Sequence, residues 1–125
     1  MKKLLVFAIL LVITISAKSQ KWDLNASEYA YKVMSYGSWT DWTDWIDCDV
    51  SITVTPQFIQ IDSDAPQFYR VVSFKGKSGN TWKWYCCNAQ GIYCNIRFKI
   101  DPEGEEQNQL YVDFSDAKWV YNVSM

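Results

Sequence analysis

The sequence predicts an all-β domain, a single antiparallel meander of seven or eight strands arranged as a barrel or a sandwich. Three observations lead there. Apolar residues recur with a period of two in four separate segments, turn-forming clusters divide those segments at a meander's spacing, and no stretch holds the period of an amphipathic helix. A period of two gives each strand one buried and one wet face, which is the habit of antiparallel sheets.

The strands are expected at about 28–36, 45–54, 57–62, 67–75, 81–87, 92–100, 108–114 and 117–123. The first is the least regular, its Tyr, Val and Lys content suiting a strand better than a helix. In the second, Ile46, Cys48, Val50, Ile52 and Val54 alternate with Asp47, Asp49, Ser51, Thr53 and Thr55 and stop at Pro56. Trp82, Trp84 and Cys86 alternate with Thr81, Lys83 and Tyr85. Cys94, Ile96, Phe98 and Ile100 alternate with Tyr93, Asn95, Arg97 and Lys99. Leu110, Val112 and Phe114 alternate with Tyr111, Asp113 and Ser115. Gly37-Ser38, the run from Asp62 to Pro66, Gly76 to Asn80, Asn88 to Gly91, Asp101 to Gly104 and Ser115-Asp116 supply the turns. The expected core is Ile52, Val54, Val72, Phe74, Trp84, Ile96, Phe98, Val112, Phe114, Trp119 and Tyr121.

Composition narrows the function classes. The 125 residues are 49% hydrophobic and include seven Trp, eight Tyr and six Phe, ample apolar surface for one packed domain. Twelve basic against fourteen acidic residues leave no electrostatic footprint for nucleic acid. Histidine is absent, which removes the commonest general base and the commonest metal ligand.

Residues 1–19 read as a secretory signal peptide. Lys2 and Lys3 precede an apolar run from Leu4 to Ile15, too short for a membrane span of ~20 residues, and Ala17 and Ser19 are small residues at a cleavage site. Cleavage after Ser19 leaves a β-domain of residues 20–125 with no membrane span and takes the formal charge from −2 to −5 by removing Lys2, Lys3 and Lys18. The expected location is therefore periplasmic or secreted.

Export permits disulfides, and four Cys is an even count. In a hairpin that sets Cys86 opposite Cys94, Trp84 meets Ile96 and Trp82 meets Phe98, so every apolar group shares a face. Cys86 and Cys94 are thus the expected disulfide, provided that they form a non-hydrogen-bonded pair. Cys48 also sits on an inward face and can join Cys86, Cys87 or Cys94, so the three connectivities, and a second bond between Cys48 and Cys87, stay open. The adjacent Cys86-Cys87 and the missing His fit no zinc site, so neither metal nor cofactor is expected.

The run Trp39-Thr-Asp-Trp42-Thr-Asp-Trp45-Ile-Asp-Cys48 resembles the opening of thrombospondin type 1 repeats, but those need six Cys and Arg-rich strands, and this chain has four Cys and only Arg70 and Arg97. The likeness to that family is rejected. Steps of three alternate faces on a regular strand, so at least one of the three Trp should be exposed. Residues 67–123, with Lys83-Trp84-Tyr-Cys86 and Gly91-Ile-Tyr-Cys94 as the matching motifs, are similar to small exported bacterial all-β proteins without an assigned activity. That resemblance implies an envelope or secreted setting and the Cys86/Cys94 hairpin, and it brings no catalytic residue.

The expected function is a non-catalytic binding or interaction domain whose ligand is a glycan or another envelope protein. Its contact surface would centre on Trp39, Trp42 and Trp45, with Asp41 and Asp44 at the rim, because indole rings offer flat apolar area at low entropy cost. A small carboxylate-based hydrolase and a structural envelope protein without a small ligand are the alternatives.

Overall fold

The computed structural model describes residues 21–101 and 108–125. The expected signal segment 1–19 and most of the acidic loop after Asp101 lie outside the described residues. The strands are β1 (Trp22–Ser35), β2 (Ser38–Trp39), β3 (Ile46–Val54), β4 (Phe58–Ile61), β5 (Gln67–Ser78), β6 (Thr81–Asn88), β7 (Tyr93–Lys99), β8 (Asn108–Asp113) and β9 (Ala117–Ser124).

From β3 to β9 each strand pairs antiparallel with the next, and β1 pairs with both β3 and β9, so the meander closes on itself. Eight strands form the barrel, and the two-residue β2 rides on the far end of β1. The domain is therefore an all-β, up-and-down barrel. Closure through β1 and β9 pairs the first and last strands of the barrel, which would otherwise be its free edges.

The barrel interior is packed rather than hollow over most of its length. Phe98, Ile52, Ile59, Ile61, Ile96, Leu110, Val112 and Cys86 are its largest fully buried side chains. One end is plugged by aromatic rings: Trp22 packs edge-on against Trp82 at 5.2 Å and Trp84 at 6.0 Å, and against Phe98 at 5.5 Å. The opposite end, where β9 begins and β6 finishes, is not plugged in this way. It is lined by Tyr29, Tyr69 and Tyr121.

Three expectations need correction. The first strand starts at Trp22 rather than at residue 28, and a bulge between Ala26 and Glu28 breaks its period. Before the bulge Leu24 and Ala26 face inward. After it Tyr29 pairs with the buried Tyr121. Val72 and Phe74 are 43% and 55% exposed, and Val71 is the valine packed against the core. The cause is the short β4, which pairs with β5 only from Gln67 to Arg70 and leaves the rest of β5 with a single neighbour and two register shifts. Phe114 and Trp119 are half-buried at the open end. Ile52, Val54, Trp84, Ile96, Phe98, Val112 and Tyr121 are buried as expected.

Candidate functional site

The Trp run is not a regular strand, and that changes where its rings point. Residues 40–45 return alongside β1 with a step of their own. Thr40 N donates to Val33 O at 2.9 Å while Val33 N donates to Thr40 Oγ1 at 3.0 Å. Three residues later the pattern repeats two residues earlier on β1. Thr43 N donates to Tyr31 O at 3.0 Å, and Tyr31 N donates to Thr43 Oγ1 at 3.1 Å. Each Trp-Thr-Asp unit thus spans two residues of β1, the threonine hydroxyl standing in for a missing carbonyl.

Because the bulged path repeats every three residues, all three indoles fall on the outer face of the barrel. Lys32 Nζ lies 5.6 Å from the Trp39 ring and 4.7 Å from the Trp42 ring, and Lys118 Nζ lies 4.8 Å from Trp39. The expectation of alternating faces fails here for a physical reason: it holds only for an unbulged strand. Trp42 and Trp45 are 39% and 45% exposed, and Trp39 is half-buried. Asp41 and Asp44 are exposed and line neither of the cavities described below.

The open end of the barrel holds a cavity of about 490 Å³. Its walls are Tyr29, Tyr31, Tyr69, Phe114, Trp119 and Tyr121, with Gln67 as its central amide. These side chains come from β1, β5 and β9 and from the end of β8, the inward positions nearest the mouth. Tyr69 Oη donates to Gln67 Oε1, and Gln67 Nε2 donates to Tyr121 Oη at 3.3 Å. Both phenols are held above the usual tyrosine range, chiefly by burial. They are therefore hydrogen-bonding groups rather than acids.

Trp119 Nε1 is buried and makes no hydrogen bond of full geometry. A weaker contact with Tyr121 lowers that phenol's pKa against the larger effect of burial. A buried donor without a well-formed bond is uncommon in a folded protein. A second, more polar cavity of about 430 Å³ shares Tyr29, Ala65, Gln67 and Tyr121 with the first, and Asp47, Asp49, Asp62 and Asp64 flank it.

Cys86 and Cys94 lie directly opposite one another, in the expected register, but stand as free thiols, as do Cys48 and Cys87. The turn explains why. Gly91, at a φ of 82°, donates to Asn88 O at 3.1 Å, and Asn88 N donates to Ile92 O at 2.8 Å, a type of bulged turn that makes Asn88–Ile92 a hydrogen-bonded pair. Two residues further along each strand, Cys86–Cys94 is again a hydrogen-bonded pair. Its Cβ atoms are then ~5.5 Å apart, wider than the ~3.5–4.5 Å of a disulfide.

Burial pushes both thiols up to about 12. At neutral pH they should resist alkylation until the chain unfolds. The unfolded thiols lose their protons near 9 and the folded ones near 12, so between those values the unfolded state binds fewer protons. Stability is then unaffected by these groups below pH 9 and falls above it, at up to ~1.4 kcal/mol per pH unit for each thiol. Urea midpoints from pH 8 to 11 check this, and Cys94→Val should flatten the decline.

Fold and site together define a class: a closed eight-stranded meander barrel with one plugged end and one aromatic-lined mouth. No protein family matches the chain, and neither characterised proteins nor solved structures yield a match. Among the described residues no cluster of Asp, Glu and Cys could hold a metal ion.

Proposed function

We propose that this chain is an exported, non-catalytic binding protein that takes a small, largely apolar molecule into the mouth of its barrel. The cavity walled by aromatic rings at the open end of the barrel carries the reading. Barrel mouths are preferred ligand sites, and such sites combine apolar walls with a few placed polar groups. The Trp119 N–H lies buried in that wall, and Tyr121 accepts from Gln67 with its own hydroxyl proton still to give. The ligand class that matches is a planar apolar skeleton carrying an oxygen acceptor, such as an aryl ketone. Lys32 and Lys118 in the mouth's lining and the four aspartates beside it leave no single dominant charge, which suits a neutral ligand.

Displacement of a neutral fluorescent naphthylamine by 2-acetylnaphthalene and by 2-ethylnaphthalene tests this. The two differ only in the acceptor, and the ketone should bind roughly tenfold more tightly, the worth of one hydrogen bond. Trp119→Phe keeps the ring, removes the donor and should erase the difference. Absence of saturable displacement by either compound would sink the reading.

The same exported setting bears on the thiols. In an oxidising compartment Cys86 and Cys94 are the pair positioned for a disulfide, if the hairpin relaxes enough to close the gap between their Cβ atoms. Thiol counting on denatured protein isolated from the envelope, with and without reductant, decides between two and four free sulfhydryls.

A further inference from the structure

The outer face of the barrel carries a groove that the mouth reading does not use. Its floor is Ala30 on β1 and Val120 on β9, only 2% and 4% exposed. Trp42 and Trp45 rise along one side, Tyr111 and Gln109 of β8 along the other, and the groove measures about 200 Å³. Two half-exposed indoles beside a phenol therefore frame a narrow slot instead of covering a core.

The polar groups at the slot are chained together. Tyr111 Oη donates to Gln109 Oε1 at 2.7 Å, Gln109 Nε2 donates to Asn122 Oδ1 at 3.1 Å, and Asn122 Nδ2 donates to Glu28 Oε1 at 2.7 Å. Asn122 is 5% exposed, so this chain is fixed in place by burial. It spans β8, β9 and β1 and holds the Gln109 amide against the groove. The Gln109 amide keeps one N–H and one lone pair beyond these two bonds, since an amide has two N–H groups and its oxygen two lone pairs. Lys32, stacked on Trp42, is not part of the groove's lining, so the slot itself contains no cation.

We propose that this groove binds a single neutral sugar ring, presented free or within a glycan. A pyranose has apolar C–H faces that suit the indoles and hydroxyl edges that suit the Gln109 amide, anchored on the buried Asn122. No cation lines the slot: Lys32 lies over Trp42 outside the lining, and Arg97, 4.2 Å from the Tyr111 ring, is paired with Asp113. A peptide strand would find β1, β8 and β9 already paired on both sides. The site is separate from the mouth, and either can fail alone.

The test titrates the protein with glucose, N-acetylglucosamine, xylose and their short oligomers, read by intrinsic Trp fluorescence and by ¹⁵N–¹H NMR. The expected result is saturable binding of at least one sugar, with amide shifts confined to residues 42–45, 109–111 and 120–122. Trp45→Ala should weaken it at least tenfold, and Gln109→Leu should do the same without removing any ring. Phe68→Ala, an exposed ring stacked on Phe58 and remote from the groove, should leave the affinity unchanged. Binding that resists both groove substitutions would overturn the proposal, as would flat titrations with every sugar. If Trp45→Ala unfolds the chain, Trp45→Tyr, which keeps a stacking face, should bind with reduced affinity, and its failure to bind while folded counts against the site.

Discussion

Replacing Phe98 with alanine should lower the folding free energy by about 3–5 kcal/mol, a large share of what a domain of this size possesses. Phe98 is fully buried on β7, between Trp82 on β6 and Leu110 on β8. Its ring lies 5.5 Å from Trp22 and 6.3 Å from Trp82, so truncation opens a void that rigid aromatic neighbours cannot collapse into. Chemical denaturation should show a lower midpoint with an unchanged m value. A loss under 1 kcal/mol would mean that the plugged end is loosely packed. Phe98→Leu, which refills part of the void, should recover part of the loss.

How far the sequence discloses this architecture depends on whether the information is local. The alternation in β3, β6, β7 and β8 is written residue by residue, and the barrel walls follow from it. The Cys86–Cys94 register is legible too, because only one register places Trp84 and Ile96 on the same face. The early half of β1 is a different case. Trp22, Leu24 and Ala26 do alternate with Asp23, Asn25 and Ser27, but the bulge at Ser27 reverses the parity, so Tyr29 and Tyr31 appear to belong to another pattern. Exposure of Val72 and Phe74 could not be read from β5 at all, since it comes from the shortness of β4.

The candidate sites show the same division. Three Trp at a spacing of three are conspicuous, yet their common face depends on how Thr40 and Thr43 bond to β1, a tertiary matter. The mouth went unseen because its residues look like core: Phe114, Trp119 and Tyr121 occupy inward positions like any other. A usable signal did exist. Inward positions near one end of the strands are Tyr29, Tyr31, Tyr69, Trp119 and Tyr121, all with a polar atom, whereas mid-barrel positions are Ile, Leu and Val. Four inward phenols mark an end that meets water or a ligand, whereas the plugged end carries indoles and Phe98. Closure through β1 and β9 leaves no local mark, since it joins residues almost a full chain apart.

Trp22→Ala should be the other severe substitution, costing about 2–4 kcal/mol, somewhat less than a fully buried ring because Trp22 is only half-buried. Its indole is the cap of the plugged end, in contact with Trp82, Trp84 and Phe98 at once. Those shared contacts make the effect non-additive. The Trp22→Ala, Phe98→Ala double variant should lose less than the two single losses combined, with a coupling of about 0.5–3 kcal/mol. Position in the chain adds a second consequence. A mature terminus at Gln20 would leave only Gln20 and Lys21 before the cap, so trimming the chain to begin at Asp23 should destabilise it as much as Trp22→Ala does. The mouth lies at the other end, where Tyr29 and Trp119 are held by the β1–β9 pairing rather than by the plug. At a denaturant concentration and temperature where both proteins are folded, Trp22→Ala should therefore bind the aryl ketone as tightly as the parent. Weakened binding by the folded variant would show that the two ends are coupled through the barrel wall.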